Sequence, residues 1–205
     1  FDNDQWAFMM PDMRLTTVAQ DWPAIGRAVA ELLFGRASPS GKLPVTFYHN
    51  EVLDEMPAFT DYSMQNRTYR YYAGEPLYPF GYGLTYGDCE VVDLACEQGV
   101  ATVTVRNGGQ RDTQDVVQLY MRDTNSPFAA KNPALCGFER VALAAGETKT
   151  LAVSIDPNAY TVVNDSGARI PGSGRWKLFA SFASPCARSA VLTGHAPITI
   201  DIAAK

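Results

Sequence analysis

The apolar residues of this chain change period once. Between residues 21 and 34 they recur at helical spacing, with Ile25, Ala28, Val29, Leu32 and Leu33 on one face. Asp21 is placed to act as N-cap, Pro23 falls in the first turn where its missing N–H costs little, and Gly35 follows as a stop. The turn-rich Ala37-Ser38-Pro39-Ser40-Gly41 then leads to a short strand at about Leu43 to Tyr48. A helix, a short loop and a strand make the last unit of an open α/β sheet. One such unit cannot bury both faces of its strand, so residues 1–87 read as the end of a domain.

After Gly87 the spacing alternates. Ala101, Val103 and Val105 alternate with Thr102 and Thr104, and Val117, Leu119 and Met121 with Gln118, Tyr120 and Arg122. Leu151, Val153 and Ile155 form a third row, Trp176, Leu178, Ala180 and Phe182 a fourth, and Ile198, Ile200 and Ile202 a fifth. Turn signals separate them: Asn107-Gly108-Gly109, Ala145-Gly146-Glu147, Asn164-Asp165-Ser166-Gly167 and Pro171-Gly172-Ser173-Gly174. This pattern predicts an immunoglobulin-like β-sandwich over 88–205, preceded by a partial α/β segment, and a mainly β protein.

Between the two regions lies a tract with neither period. Residues 67–86 crowd aromatics among three glycines and two prolines, so no regular helix or long central strand runs through them. Rings this dense need a larger body to cover them, and no long polar linker separates the halves. The sandwich is expected to pack on this tract.

Composition narrows the function. With 46% hydrophobic and 19% charged residues the chain is globular, and no apolar run reaches the roughly 18 residues of a membrane span. A formal charge of −5 without a Lys/Arg cluster argues against a nucleic-acid partner. Cys89, Cys96, Cys136 and Cys186 include no C-x-x-C pair and there are only two histidines, so neither a metal site nor any other cofactor is expected. Buried reduced thiols are the simpler reading. Cys89 and Cys96 on one extended strand would be too far apart to bridge. The sequons at Asn66 and Asn164 would accept N-glycans in a secretory host. Phe1-Asp2-Asn3-Asp4-Gln5-Trp6 lacks a signal peptide's basic start and apolar stretch and lacks an initiator Met, so a processed or excised start is expected.

Ser40-Gly41-Lys42-Leu43-Pro44-Val45-Thr46-Phe47 and the 67–86 tract resemble the closing segment of the second domain of family 3 glycoside hydrolases. The stretches at 103–109, 115–120, 135–141 and 145–148 resemble the fibronectin type III-like domain that follows it. The resemblance implies exo-β-glucosidase or β-xylosidase chemistry, a scaffold role for this portion, and an extracellular or periplasmic setting. It also implies partners: the barrel and α/β remainder of a glycosidase, or self-association through an exposed apolar face. A stand-alone module that binds carbohydrate or a protein is the alternative. Where the family has a glycine-rich approach to the helix, this chain has Met9-Met10-Pro11-Asp12-Met13.

Retaining glycoside hydrolysis needs two carboxyl groups roughly 5 Å apart. The resemblance places the nucleophile on an N-terminal (β/α)8 barrel and the acid/base upstream of this stretch, so no catalytic residue is assigned here. Gln20-Asp21-Trp22 echoes the family's nucleophile tract, but Asp21 precedes a helix and reads as its cap. Asp54, Glu55, Asp61 and Glu75 read as loop carboxylates, and neither His49 nor His195 neighbours a nucleophile motif. By resemblance, Tyr62, Arg67 and Tyr69 lie near the rim of a substrate pocket, where planar donors and aromatic faces hold sugar. The competing reading places Arg67 and Arg70 in buried ion pairs and the tyrosines under the sandwich.

Overall fold

In the computed structural model, which describes residues 22–203, the helical stripe forms α1, Trp22–Leu33. Gly35 ends it at φ +68°, with Gly35 N–H donating to Leu32 O (2.9 Å) and Arg36 N–H to Glu31 O (2.8 Å). The N-cap read for Asp21 lies outside the described residues, as does the Met9–Met13 segment. Ile25, Val29 and Leu32 are half-buried, whereas Leu33 and Phe34 are 76% and 79% exposed.

The strand expected at Leu43 to Tyr48 is not a regular strand. It makes a single bridge, Phe47 with Tyr78, and Leu43 N–H donates to Tyr82 O while Gly81 N–H donates to Leu43 O. Pro44 lacks an N–H and Pro79 interrupts the facing segment, so the ladder cannot continue between these contacts. A short 3₁₀ turn, Asn50–Glu55, and a one-turn helix, α2 (Thr68–Tyr71), complete this part.

The sandwich begins with β1, Cys89–Glu97, which pairs with β2, Val100–Asn107, and through it with β5, Thr148–Ser154. The facing sheet runs β4 (Ala134–Leu143), β3 (Thr113–Asp123), β8 (Arg175–Ser181) and β9 (Ile198–Ala203), all antiparallel. A small hairpin of β6 (Thr161–Val163) and β7 (Arg169–Pro171) closes one end, and helix α3 (Ala187–Thr193) leads into β9. The alternating rows meet in the middle: Val103, Val105, Val117, Leu119, Leu178 and Trp176 are all buried in one cluster. Among the described residues no helix is long and apolar enough to cross a membrane.

Strand β3 is buried on both faces. Gln118 and Tyr120, polar partners in the alternation, lie under the aromatic tract rather than in solvent. Gln118 Nε2 donates to Gly81 O (3.0 Å) and Phe182 O (3.1 Å), and Tyr120 Oη donates to Gln118 Oε1 (2.6 Å). Each buried polar atom in this group is thereby satisfied. At the start of the sandwich, Asn107 is fully buried. It accepts from the N–H of Asp88 and Gly109 and donates to Arg111 O and Ala144 O.

Candidate functional site

The aromatic tract builds a junction with the second sheet. Tyr69 stacks on Phe80 with centroids 4.2 Å apart, and both rings meet Tyr120 edge-on at 6.1 and 6.4 Å. Leu135 N–H donates to Tyr69 Oη (3.0 Å), and Asn132 Nδ2 donates to the carbonyls of Tyr69 and Tyr72 (both 2.8 Å). Ser184 N–H donates to Phe80 O (3.0 Å), and Ser38 Oγ bonds Thr113 Oγ1 (2.8 Å). Lys42 and Asp115 complete the seam as a buried ion pair. Two glycines permit this fit: a Cβ on Gly81 would strike the Gln118 amide, and one on Gly83 would strike the Gly41 carbonyl oxygen.

Tyr62, Arg67 and Tyr69, which the resemblance puts near a pocket rim, do not share one environment. Tyr69 packs under the sandwich, as the competing reading has it. Arg67 is half-buried and donates through Nη2 to Pro57 O and Ala58 O (2.8 Å each), so it braces a loop by carbonyls and makes no ion pair among the described residues. Tyr62 is 86% exposed. Met64, Asn66 and Thr68 all take positive φ (61°, 56° and 56°), a costly conformation for non-glycine residues and most so for β-branched Thr68. Arg70 is exposed, with its guanidinium 5.7 Å from the Tyr71 ring centroid. The sequon residue Asn66 accepts from Ala73 N–H, while Asn164 sits in the exposed β6–β7 turn with Oδ1 bonded to Ser166 and Ala168.

The carboxylates have legible duties. Asp54, Glu55, Asp61 and Glu75 are exposed, and the N–H and hydroxyl of Ser63 hold the Asp61 carboxyl below its ordinary value. Asp123 is buried and accepts from Asn125, Ser126 and Ser173. His195 Nε2 lies 2.6 Å from Asp88 Oδ1 and its Nδ1 3.6 Å from Glu90 Oε2, tying the loop before β9 to the start of β1. Among the described residues no group of three or more His, Cys, Asp or Glu is placed to hold a metal ion. The four thiols are unpaired, and burial pushes Cys89 and Cys136 up to about 12.

Two cavities flank Tyr69 and Asn132. One of about 220 Å³ lies among Thr46, Tyr72, Pro79, Pro133 and Cys186. The other, about 340 Å³, reaches Arg122, Phe128 and Trp176 at the end of the sandwich. Reading the sequence singles out none of Arg122, Phe128 and Asn132, because they are far from the aromatic tract in the chain and belong to no motif.

Residues 21–86 match the glycosyl hydrolase family 3 C-terminal domain, and residues 115–184 match the fibronectin type III-like domain. This chain belongs to glycosyl hydrolase family 3 and carries its C-terminal portion. It is 41% identical over 131 residues to a xylan 1,4-β-xylosidase of Xylanibacter ruminicola, a match spanning 61% of the chain and 15% of that enzyme. It is 31% identical over 196 residues to a periplasmic β-glucosidase of Salmonella typhimurium, spanning 84% of the chain and 25% of that enzyme. A solved β-glucosidase from Streptomyces venezuelae in complex with D-glucose superposes with a TM-score of 0.67 at 29% identity, over 86% of this chain and 24% of its own. The chain thus spans a quarter or less of these relatives' length, and within the family it is a mainly β segment ending in a fibronectin type III-like sandwich.

Proposed function

We propose that this chain is the C-terminal portion of a family 3 exo-β-glycosidase of the β-glucosidase or β-xylosidase type. In this reading residues 1–87 are the end of an α/β domain and 88–205 an accessory sandwich. The observation that carries it is the order of the two domain matches within relatives that extend far beyond them. Double displacement requires a nucleophile and an acid/base facing one sugar. Among the described residues the buried carboxylates, Asp115 and Asp123, are committed to Lys42 and to the Ser173 turn. The chemistry therefore belongs to the barrel and α/β portions of the whole enzyme.

What this portion supplies is rigidity. The seam of ion pair, stacked rings and side-chain-to-carbonyl bonds fixes the sandwich against the segment that leads to the rest of the enzyme. The exposed Leu33, Phe34, Phe59 and Leu84 would be covered by those domains, or by a second copy in their absence. Tyr62, on the strained loop braced by Arg67, supports a position at the rim of a sugar cleft, with Tyr69 setting the loop from beneath.

The test is an assay of the isolated chain on chromogenic β-xyloside and β-glucoside. No turnover is expected; turnover that survives repurification would overturn the scaffold reading. The stand-alone module reading is favoured by the exposed Tyr62 ring. Retention on xylan or cellulose that vanishes in Tyr62→Ala would support it, and no retention would end it.

A further inference from the structure

The 340 Å³ cavity owes its existence to a mismatch of strand ends. Strand β4 pairs with β3 only as far as Ala134 opposite Met121, so Arg122 and Asp123 run on without a neighbour on that side. The 124–133 loop and the β6–β7 hairpin form the opposing walls. Its volume is at the low end of the roughly 300–1,000 Å³ typical of small-molecule sites.

Its charge is unlike that of the chain around it. Arg70, Arg122 and Arg169 line it against Asp123 and Asp156, a balance of +1 in a protein of net charge −5. Both carboxylates are engaged. Asp123 accepts from Asn125, Ser126 and Ser173, and Asp156 accepts from the N–H of Asn158 (2.9 Å) and its Nδ2 (3.1 Å). Arg169 donates to Asn158 O and Thr161 Oγ1. By contrast, Arg122 and Arg70 pair with no carboxylate among the described residues, and the Arg70 guanidinium lies over Tyr71. The buried Trp176 also lines the cavity, and its indole N–H has no acceptor among the described residues.

We propose that this cavity binds a carboxylate-bearing monosaccharide unit, a hexuronate, with Arg122 and Arg70 holding the carboxylate and Tyr71 and Phe128 facing the ring. Guanidinium groups suit a carboxylate because their donors match its two oxygens, and a half-buried aromatic offers a flat apolar face. The choice of a sugar acid over other carboxylates rests on the glycosidase reading above; the cationic cavity does not. Such a site would hold a charged side unit of a polysaccharide.

The experiment is a titration of the full chain with D-glucuronate, D-glucose and inorganic phosphate, followed by calorimetry and amide NMR. D-glucuronate is expected to saturate and to bind about tenfold more tightly than either competitor, with shifts at Tyr71, Arg122 and Phe128. Arg122→Gln, an exposed substitution, is expected to weaken it about tenfold, and Arg122→Lys to recover part of that loss. Absence of saturation, glucose or phosphate binding as tightly as glucuronate, or unchanged affinity in Arg122→Gln overturns the proposal. Because no turnover is read, a failed titration leaves the scaffold reading standing, and activity of the isolated chain leaves this site standing.

Discussion

The Nζ of Lys42 lies 2.6 Å from Oδ1 of Asp115, joining the Ser40–Phe47 segment to strand β3 of the sandwich. The same ammonium group lies 5.8 Å from the Phe182 ring centroid. Both side chains are largely withdrawn from water, so burial pushes the Asp115 carboxyl up, while the Lys42 charge and the Val116 N–H oppose it. Pairing therefore offsets a desolvation cost that either partner alone could not bear.

Breaking this pair one member at a time should be costly. Asp115→Leu and Lys42→Met are each expected to lower unfolding free energy by about 3 kcal/mol, because each strands a buried charge or its polar surroundings. Lys42→Met combined with Asp115→Leu should lose much less than the sum. Urea denaturation of the three variants measures this, and additive losses would contradict it.

Asp123 should confer an acid-sensitive contribution of definite sign. Burial raises its carboxyl, but the hydroxyl and N–H of Ser173 and the N–H groups of Asn125 and Ser126 more than reverse this, leaving it below the ordinary value. A lowered folded pKa means stability fully present above the unfolded value near 4 and lost as pH falls through the folded one. Melting curves of the wild type and Asp123→Asn from acid to neutral pH should converge at low pH and separate above about pH 4. Parallel curves would refute the assignment.

The thiols should divide into two classes. Cys89 and Cys136, pushed up to about 12 by burial, are expected to resist alkylation in the native protein at pH 8. The half-buried Cys96 and Cys186 should react first. Mass spectrometry after brief iodoacetamide treatment, native against denatured, reads the sites directly. Rapid native labelling of Cys89 or Cys136 would show that the core is looser than described.

Glycine substitutions should separate crowding from backbone strain. Gly83 faces the Gly41 carbonyl oxygen, a backbone atom that cannot swing away, so Gly83→Ala is expected to cost more than about 2 kcal/mol. Gly99 takes φ +78° in open space, and Gly99→Ala should cost only about 1 kcal/mol. Equal losses would remove the close approach as the reason for Gly83.

Tyr120→Phe should report on the buried polar group at the junction. It removes the partner of Gln118 Oε1 without changing the ring, and about 1–2 kcal/mol is expected in thermal or chemical unfolding. No loss would mean that the amide finds another donor.

Much of the architecture was legible because it is local. The α1 stripe and its Gly35 stop were readable from spacing, and so were the rows through Val103, Leu119 and Leu178, since one face of each element meets one core. Leu43–Tyr48 misled, because it follows a helix and a turn as a strand would, while Pro44 and Pro79 withhold the ladder. The candidate site was legible only in part. The loop holding Tyr62, Arg67 and Tyr69 stands out by composition, yet nothing in it tells that Arg67 bonds two carbonyls while Tyr69 lies beneath the sandwich.

Periodicity alone determined that this chain contains a helix followed by alternating strands, since burying one face of an element needs only the element's own repeat. Tertiary structure decided the rest: that β3 is covered on both sides, that Gln118 answers the Gly81 carbonyl, and that Arg122, Phe128 and Trp176 line one cavity. These depend on segments far apart in the chain meeting at one place, and no repeat within either segment records the meeting.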